Sequence, residues 1–456
     1  MDDFVAVLDI GKTNLKVLAF DSKGAVFWER TRRNGPLLAD PACPYLHLDT
    51  AGIWTFLLEA LRELAAAIPI GAISISTHGA AGVLVDEVGP VLPPIDYDAD
   101  ELERSAAEYA ALRPAFAETC SPLLPRGLNL GRQIFHLFRH HPAEGARARA
   151  FLTYPQYWAW RLCGVMASEV TSLGCHTDLW APYASDFSSM VDRLGWRRLF
   201  PTMRNAWDTL GLIKPGVAAA TGLRPDVRVL CGIHDSNAAL APYIADRTDP
   251  FTVVSTGTWV IVFAIGGRAS LDPEADMLAN VDVRGHAVPS ARFMGGREYA
   301  ALAGDAPAQP TLEAVEGVVA SGAFALPSFS DQGGPFARRA GHIMGPKPQT
   351  KEGLAGLATL YAALMTELLV DRLSASGDVI IEGGFTRAPA FAGVLAALMP
   401  SRHVYVAATA SGAAEGAAML AHWGDHGGIL NSEPALAWPI PHLAEYREKW
   451  RAETGS

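Results

Sequence analysis

Asp9-Ile10-Gly11-Lys12-Thr13-Asn14-Leu15-Lys16 lies between two apolar runs, Phe4 to Leu8 and Val17 to Phe20. Two such runs around a polar turn read as adjacent strands of a hairpin. The residue types in the turn suit phosphate. Gly11 lets the backbone approach an anion, Thr13 and backbone N–H groups can donate to it, and Lys12 and Lys16 bring positive charge. Asp9 closes the first run, where its carboxylate is placed to hold a metal bound to phosphate oxygens. The device recurs half a chain later. Phe251 to Ser255 is apolar, Thr256-Gly257-Thr258 turns, and Trp259 to Ala264 is apolar again. A third glycine-rich strand exit is Glu382-Gly383-Gly384-Phe385. Each alone is an ordinary sheet turn. Together they can supply two phosphate turns and a surface for a nucleoside. None has the GxxxxGK[ST] pattern, and the segments after residues 13 and 258 look like strands, which argues against a Rossmann βαβ.

Phosphorylation of a hydroxyl needs a carboxylate to accept or orient the alcohol proton, with a metal and backbone donors to stabilise the moving charge. Asp235, in Gly232-Ile233-His234-Asp235-Ser236-Asn237 after an apolar strand and before an alanine-rich helix, is the base candidate. The competing role is a helix cap, and the two are compatible. His78 follows the run Ile73 to Thr77, where it can touch a sugar hydroxyl or simply satisfy backbone groups at a strand end. Ser76-Thr77-His78-Gly79 does not meet the GxSxG elbow of a hydrolase. His136, His140, His141 and Glu144 crowd one segment without an HExxH or Cys/His grouping, so a solvated helix end is preferred there over a metal site.

These residues need elements to position them. Asp49 to Ala67 has helical periodicity, and Ile70 to Thr77 is an apolar strand ending in a polar-glycine step. Open α/β sheets present ligand groups at such strand ends. Tyr154 to Leu162 reads as an aromatic helix, Val170 to Trp180 as a loop lining a cleft, and Val227 to Cys231 as a short strand. Helix Gly353 to Leu373 leads into strand Val379 to Ile381; its apolar stretch, broken by Thr359, Tyr361, Thr366 and Glu367, reads as buried and not membrane-spanning. The expected architecture is two α/β domains with mixed five-stranded sheets, divided near residue 245.

Composition narrows the function class. The 456 residues are half hydrophobic and 19% charged, with a formal charge of −11, which gives no reason to expect nucleic acid as a partner. A small phosphorylated ligand needs only a local positive pocket. Five scattered cysteines without a CxxC pair fit reduced thiols in a cytoplasmic protein, and the opening residues do not read as a signal peptide.

In order along the chain, these motifs resemble those of the FGGY carbohydrate kinases, a branch of the actin-like ATPase superfamily, and within it the rhamnulose, fuculose and xylulose kinase branches. The resemblance covers nearly the whole chain. It rests on Asp9 to Lys16, on Gly232-Ile233-His234-Asp235, on Ser255-Thr256-Gly257-Thr258-Trp259 and on Gly383-Gly384-Phe385-Thr386-Arg387. It implies two ribonuclease-H-like domains around a central cleft, residues 1–245 mainly for sugar and 246–456 mainly for ATP. The implied reaction is transfer of the γ-phosphate of ATP to a sugar hydroxyl with Mg2+. Asp235 would be the base and Asp9 the metal ligand. Thr13, Asn14, Lys16, Gly257 and Thr258 would meet phosphate, Gly383, Gly384 and Phe385 would border adenosine, and His78 and Asp98 would join Asp235 at the sugar. The implied partners are sugar and ATP, with neither nucleic acid nor membrane, and a homodimer as the oligomer to consider. An actin-like ATPase or a regulatory sugar-binding protein is the alternative.

The chain departs from the family pattern at four places. Asp96-Tyr97-Asp98-Ala99-Asp100 stands where relatives carry Trp-x-Asp-x-Arg. Gly393 to Ala397 replaces a Gln followed by an Ala-Asp pair, Ser411 replaces an acid, and Phe329 to Arg339 replaces a Gly-Glu-Arg-type loop.

Overall fold

The computed structural model describes residues 3–39, 43–245, 247–304, 307–330, 333–408, 412–424 and 432–456. The chain divides into two compact units. Unit 1 is Met1–Asp246 with two later stretches, Ala279–Ala287 and Ser411–Ile429; unit 2 is Arg247–Leu278, Val288–Ala410 and Leu430–Ser456.

Unit 1 is built on a mixed sheet. Strands β1 (Phe4–Ile10), β2 (Asn14–Phe20) and β3 (Val26–Arg33) form an antiparallel meander, and β4 (Ile70–Thr77) lies parallel to β1 on its other side. Beyond β4 come Arg228–Leu230 and Ile233–His234, both parallel to it, and then the antiparallel edge strand Thr209–Leu212. Leu8, Ile10, Ile73 and Ile75 are fully buried. Near-continuous apolar strands are what a parallel region covered on both faces requires. Helix α1 (Thr50–Ala67) supplies part of that cover. Asp49 caps it by accepting the Gly52 N–H at 2.8 Å, and Ile53, Phe56, Leu57, Leu61 and Leu64 form its buried stripe.

Unit 2 repeats the meander. Phe251–Thr256 and Val260–Ile265 pair antiparallel, Ala287–Phe293 continues the meander, and Val379–Gly383 lies parallel to Phe251–Thr256. Val404–Ala407 follows in parallel, with Ser432–Pro434 at the edge. Each sheet has seven strands, not the expected five, because edge strands too short or too polar to read as strands pair onto the core ladder. Helix Lys351–Arg372 is long and apolar enough to cross a membrane, but it runs through the core of unit 2, with Leu357, Leu360, Ala363 and Leu369 fully buried.

Two segments reach unit 1 from far along the sequence. The Asn237 side-chain amide donates to the Val281 carbonyl, and the Ala279 N–H donates to Cys120 O at 3.2 Å. Trp423 stacks on Trp207 with ring centroids 4.8 Å apart. Helix Ala413–Met419 packs on helix Asp235–Ala245, and Gly416 is the point of closest approach: any Cβ there would overlap the Ala238 carbonyl oxygen. Backbone cannot yield as a flexible side chain does. Gly416→Ala is therefore expected to destabilise unit 1 by about 1–3 kcal/mol, read as a lower thermal midpoint; an unchanged midpoint would mean the helix slides freely.

Candidate active site

Three neighbouring parallel strands of unit 1 end together, and each delivers one candidate residue. Asp9 is the penultimate residue of β1 and pairs with Ser76 of β4. His78 follows the last residue of β4, and its N–H donates to Ile10 O at 3.1 Å. On the other side of β4, His234 pairs with Thr77, so Asp235 comes next at the same level as His78. The carboxyl ends of parallel strands form the crevice in which α/β sheets bind ligands.

The electrostatics confirm the proximity. Burial and the nearby charge of Asp235 push the Asp9 carboxyl up to about 6, while Lys16, directly across the hairpin, pulls it down. Asp235 is about a third exposed, with a side-chain value of 34%. Its Oδ1 accepts from the Ser236 N–H at 2.6 Å and lies 3.3 Å from His234 Nε2. The residue opens the helix Asp235–Ala245 and accepts from its immediate neighbour, not from an amide two or three positions on, as a cap would. His234 Nδ1 faces Asn237 Oδ1 at 2.7 Å, and the His234 N–H donates to Thr171 Oγ1 at 3.1 Å, so the turn before Asp235 is held from both sides.

His78 is buried, and burial holds its imidazole below the usual histidine range, against opposing pulls from the Gly79 carbonyl and Asp235. The ring is neutral near pH 7. Nδ1 lies 2.9 Å from the Gly79 carbonyl, which can only accept, so Nδ1 carries the proton and Nε2 is a lone-pair acceptor. That Nε2 is buried and has no hydrogen-bond partner. A hydroxyl donor would satisfy it. The Tyr97 ring meets His78 edge-on, with centroids 6.1 Å apart, and the Tyr154 ring lies 5.3 Å away. Burial, with Asp98 and Asp96 nearby, pushes the Tyr97 phenol up to about 12, leaving it a neutral hydroxyl.

The hairpin turn divides its residues differently from the sequence expectation. The Gly11 N–H donates to Asn14 O at 2.9 Å, and Thr13 and Asn14 are exposed at the tip. Lys16 lies beside Asp9. Lys12, expected to add charge for phosphate, is instead bound by both carboxylate oxygens of the fully buried Asp96, lies 3.4 Å from Asp98 and sits 4.0 Å from the Tyr97 ring centroid. Asp98 is half-exposed and also pairs with Arg126. Sequence reasoning missed Lys12, Tyr97 and Arg126 as parts of this group. The run Asp96-Tyr97-Asp98 was the available signal, but its partners lie on other loops.

In unit 2 the two glycine turns meet. Thr256 pairs with Gly383 across adjacent parallel strands. Thr256 Oγ1 donates to Glu382 O and accepts the Phe385 N–H at 2.9 Å, stitching one turn to the other. Gly257, Thr258 and Gly384 are exposed. Gly383 has φ 85°, and a Cβ there would strike the Thr256 backbone, so both conformation and space demand glycine. The Gly296 N–H donates to Thr258 O at 3.2 Å, placing the start of helix Gly295–Ala303 beside the same turn, a neighbour with no mark in the sequence. Phe385 packs against Tyr299 and Phe391.

The remaining expectations resolve as follows. Gly393 to Ala397 is part of the apolar helix Pro389–Leu398, and Gly393 packs against Trp438. Val170 to Trp180 is not all loop, since Val170–Leu173 is a short helix capped by buried Glu169. Its Trp180 lines a 620 Å³ cavity with Arg204, Asp208 and His286, apart from the Asp9 group. His136 is buried, not solvated: its ring meets Ser105 Oγ at 2.8 Å, and burial pushes it down to about 4. Among the described residues no cluster of His, Cys, Asp or Glu forms a metal-holding group of three. Asp331, Gln332 and Ser411 lie outside the described residues.

Comparison with known proteins identifies the family. The N-terminal domain model of the FGGY family of carbohydrate kinases matches residues 4–241, and the model of a carbohydrate kinase FGGY C-terminal domain matches residues 248–428. A carbohydrate kinase from Novosphingobium aromaticivorans is 37% identical, superposes with a TM-score of 0.92, and covers 100% of this chain and 99% of its own. A ligand-bound xylulose kinase from Lactobacillus acidophilus shares the fold at 15% identity, with a TM-score of 0.80 and coverage of 99% and 97%. The L-fuculokinase of Salmonella typhi is 26% identical over 275 residues, a match spanning 58% of this chain and 57% of that enzyme. With both halves matched by the family models, the chain belongs to the FGGY family of carbohydrate kinases.

Proposed function

We propose that this chain transfers the γ-phosphate of ATP to a hydroxyl of an uncharged sugar, a ketose of the fuculose, rhamnulose or xylulose type, with Asp235 as general base. The observation that carries this reading is the buried acceptor His78 Nε2, without a partner, at a strand end flanked by those of Asp9 and Asp235. Nε2 accepts one sugar hydroxyl and orients the ring, and Asp235 takes the proton of the hydroxyl that is phosphorylated. Asp98 offers a half-exposed carboxylate to a further hydroxyl. The names of the fuculokinase and xylulose kinase relatives support a ketose. Unit 1 is the acceptor side. Unit 2 is the nucleotide side, with Gly257 and Thr258 toward phosphate and Gly383, Gly384 and Phe385 toward adenosine.

Mg2+ fits the residues present. Burial, with the charge of Asp235 nearby, lifts the Asp9 carboxyl, and a cation held by Asp9 would favour its ionised form. When bound with ATP, the ion neutralises phosphate charge. The neighbouring Thr13, Asn14 and Lys16 then serve as phosphate contacts.

A panel of fuculose, rhamnulose, xylulose, the matching alditols and gluconate, monitored for both ADP and sugar phosphate, tests the reading. ADP matched by sugar phosphate for a ketose is expected; ADP without sugar phosphate from any member would favour an actin-like ATPase instead. Asp235→Asn is expected to lower sugar phosphorylation at least about 100-fold, with the thermal midpoint and sugar affinity largely kept. Near-normal turnover of the folded variant would remove Asp235 from the base role. Asp9 gives a stability test. Its folded-state value of about 6 lies above the ordinary 3.8, so the folded protein binds this proton more tightly and loses stability as pH rises from 3.8 to about 6. Asp9→Asn lacks that loss. Without ligands at pH 7.5 it should be more stable than the wild type by about 1–2 kcal/mol, match it below pH 4, and have no turnover. Calorimetric midpoints across that range check the difference.

A further inference from the structure

We propose that Lys12 is a positioning residue of the acceptor site and not a phosphate contact: with Arg126 it brackets Asp98 and fixes the carboxylate that receives the sugar. The inference rests on the sugar-kinase reading above and adds to it the device that shapes the acceptor pocket.

Lys12 sits in the turn whose composition suits phosphate, yet its ammonium group is bound to Asp96. Its Nζ is engaged by both oxygens of Asp96, which is fully buried, and only 21% of the Lys12 side chain is exposed. A lysine held by a buried carboxylate is not free to follow a phosphate, because leaving would strand Asp96 without its partner. The same ammonium lies 3.4 Å from Asp98 Oδ2 and 4.0 Å from the centre of the Tyr97 ring. One group therefore holds three consecutive residues, Asp96, Tyr97 and Asp98.

Asp98 is held from its other side as well. Its Oδ1 lies 3.7 Å from Arg126 Nη1, and Arg126 Nη2 reaches Asp100 Oδ1 at 3.0 Å. Arg126 is itself fixed by its backbone. It has φ 50°, its N–H donates to Glu103 Oε1 at 3.1 Å, and the next N–H, of Gly127, donates to the Tyr97 carbonyl at 2.9 Å. The side-chain amide of Gln133 donates to the carbonyls of both Gly127 and Ala80 at 2.7 Å. That ties the Arg126 loop to the residue two beyond His78. The Asp98 N–H donates to Asp96 Oδ1 at 2.8 Å, which completes the frame. Each oxygen of Asp98 thus faces one cation, and half of its side chain remains exposed. Tyr97, under the Lys12 ammonium, also meets the His78 ring edge-on. Lys12 consequently governs two acceptor groups at once, the Asp98 carboxylate and the Tyr97 ring.

The test separates the acceptor side from the nucleotide side. Steady-state constants for the best ketose of the panel and for ATP, with thermal midpoints, are measured for wild type, Lys12→Met, Arg126→Gln and the double variant K12M/D96N. Lys12→Met is expected to raise the sugar KM roughly ten- to a hundredfold while the ATP KM stays within about twofold. Arg126→Gln, at a half-exposed site, is expected to raise the sugar KM about threefold to tenfold with an unchanged midpoint. K12M/D96N leaves no stranded buried carboxylate and so folds even where Lys12→Met does not; its sugar KM should remain raised. A raised ATP KM with an unchanged sugar KM would return Lys12 to the phosphate. A double variant with the wild-type sugar KM would reduce Lys12 to a counter-ion for Asp96. Either result overturns the proposal. Wild-type protein that phosphorylates no ketose would instead remove the sugar-kinase reading itself, an outcome distinct from both.

Discussion

The parallel register across β4 is the constraint on which the candidate site depends. Asp9 aligns with Ser76 on one side, His234 aligns with Thr77 on the other, and His78 leaves the same strand end. A slip of one residue would turn each of these side chains to the opposite face of the sheet. The register is itself held by packing, because Leu8, Ile10, Ile73, Ile75 and Ile233 are all removed from water and a slip would shift them out of the layers they fill. The apolar interior and the polar site are therefore two results of one alignment.

Burying Asp9 with Asp235 nearby has a cost, visible in the raised Asp9 carboxyl. Sites that accumulate like charge before ligand arrives are less stable than their surroundings and gain most when a cation or a donor enters. The unpartnered His78 Nε2 is a second cost of the same kind. Several side chains that frame these two groups pair with one another. His234, Asn237 and Thr171 lock the Asp235 turn, while Lys12, Asp96, Asp98 and Arg126 close on one another.

Unit 2 solves a different problem with a similar meander. Its turns at Gly257 and Gly383 carry little charge and offer backbone at close range, held by the Thr256 hydroxyl between Glu382 and Phe385. Glycine at 383 is required by both its positive φ and the adjacent Thr256 backbone. Backbone donors on a rigid turn suit anionic oxygens, whereas the directional carboxylates and imidazole of unit 1 suit hydroxyl groups.

Much of this was legible in the sequence, where the signal is local. The apolar runs around Asp9 and Gly257, the periodic helix after Asp49 and the polar exits at His78, Asp235 and Gly383 mark their own elements, since strand and helix periodicity act over a few residues. Other features depend on partners far away in the chain. The type of Lys12 suggested phosphate, but its fate was decided by Asp96, 84 residues on, and Arg126 became a neighbour of Asp98 only through the Gly127 and Gln133 hydrogen bonds. The segments Ala279–Ala287 and Ser411–Ile429 join unit 1 through the Asn237–Val281 bond and the close approach of Gly416 to Ala238. The segment of His136 lacks a metal-ligand spacing and so reads as a solvated helix end, yet the helix turns His136 inward onto Ser105. The sequence by itself determined which residues can do chemistry and which strands carry them. The tertiary structure decided which charges neutralise one another and which remain for a ligand, because pairing is set by distances that close only when the chain folds.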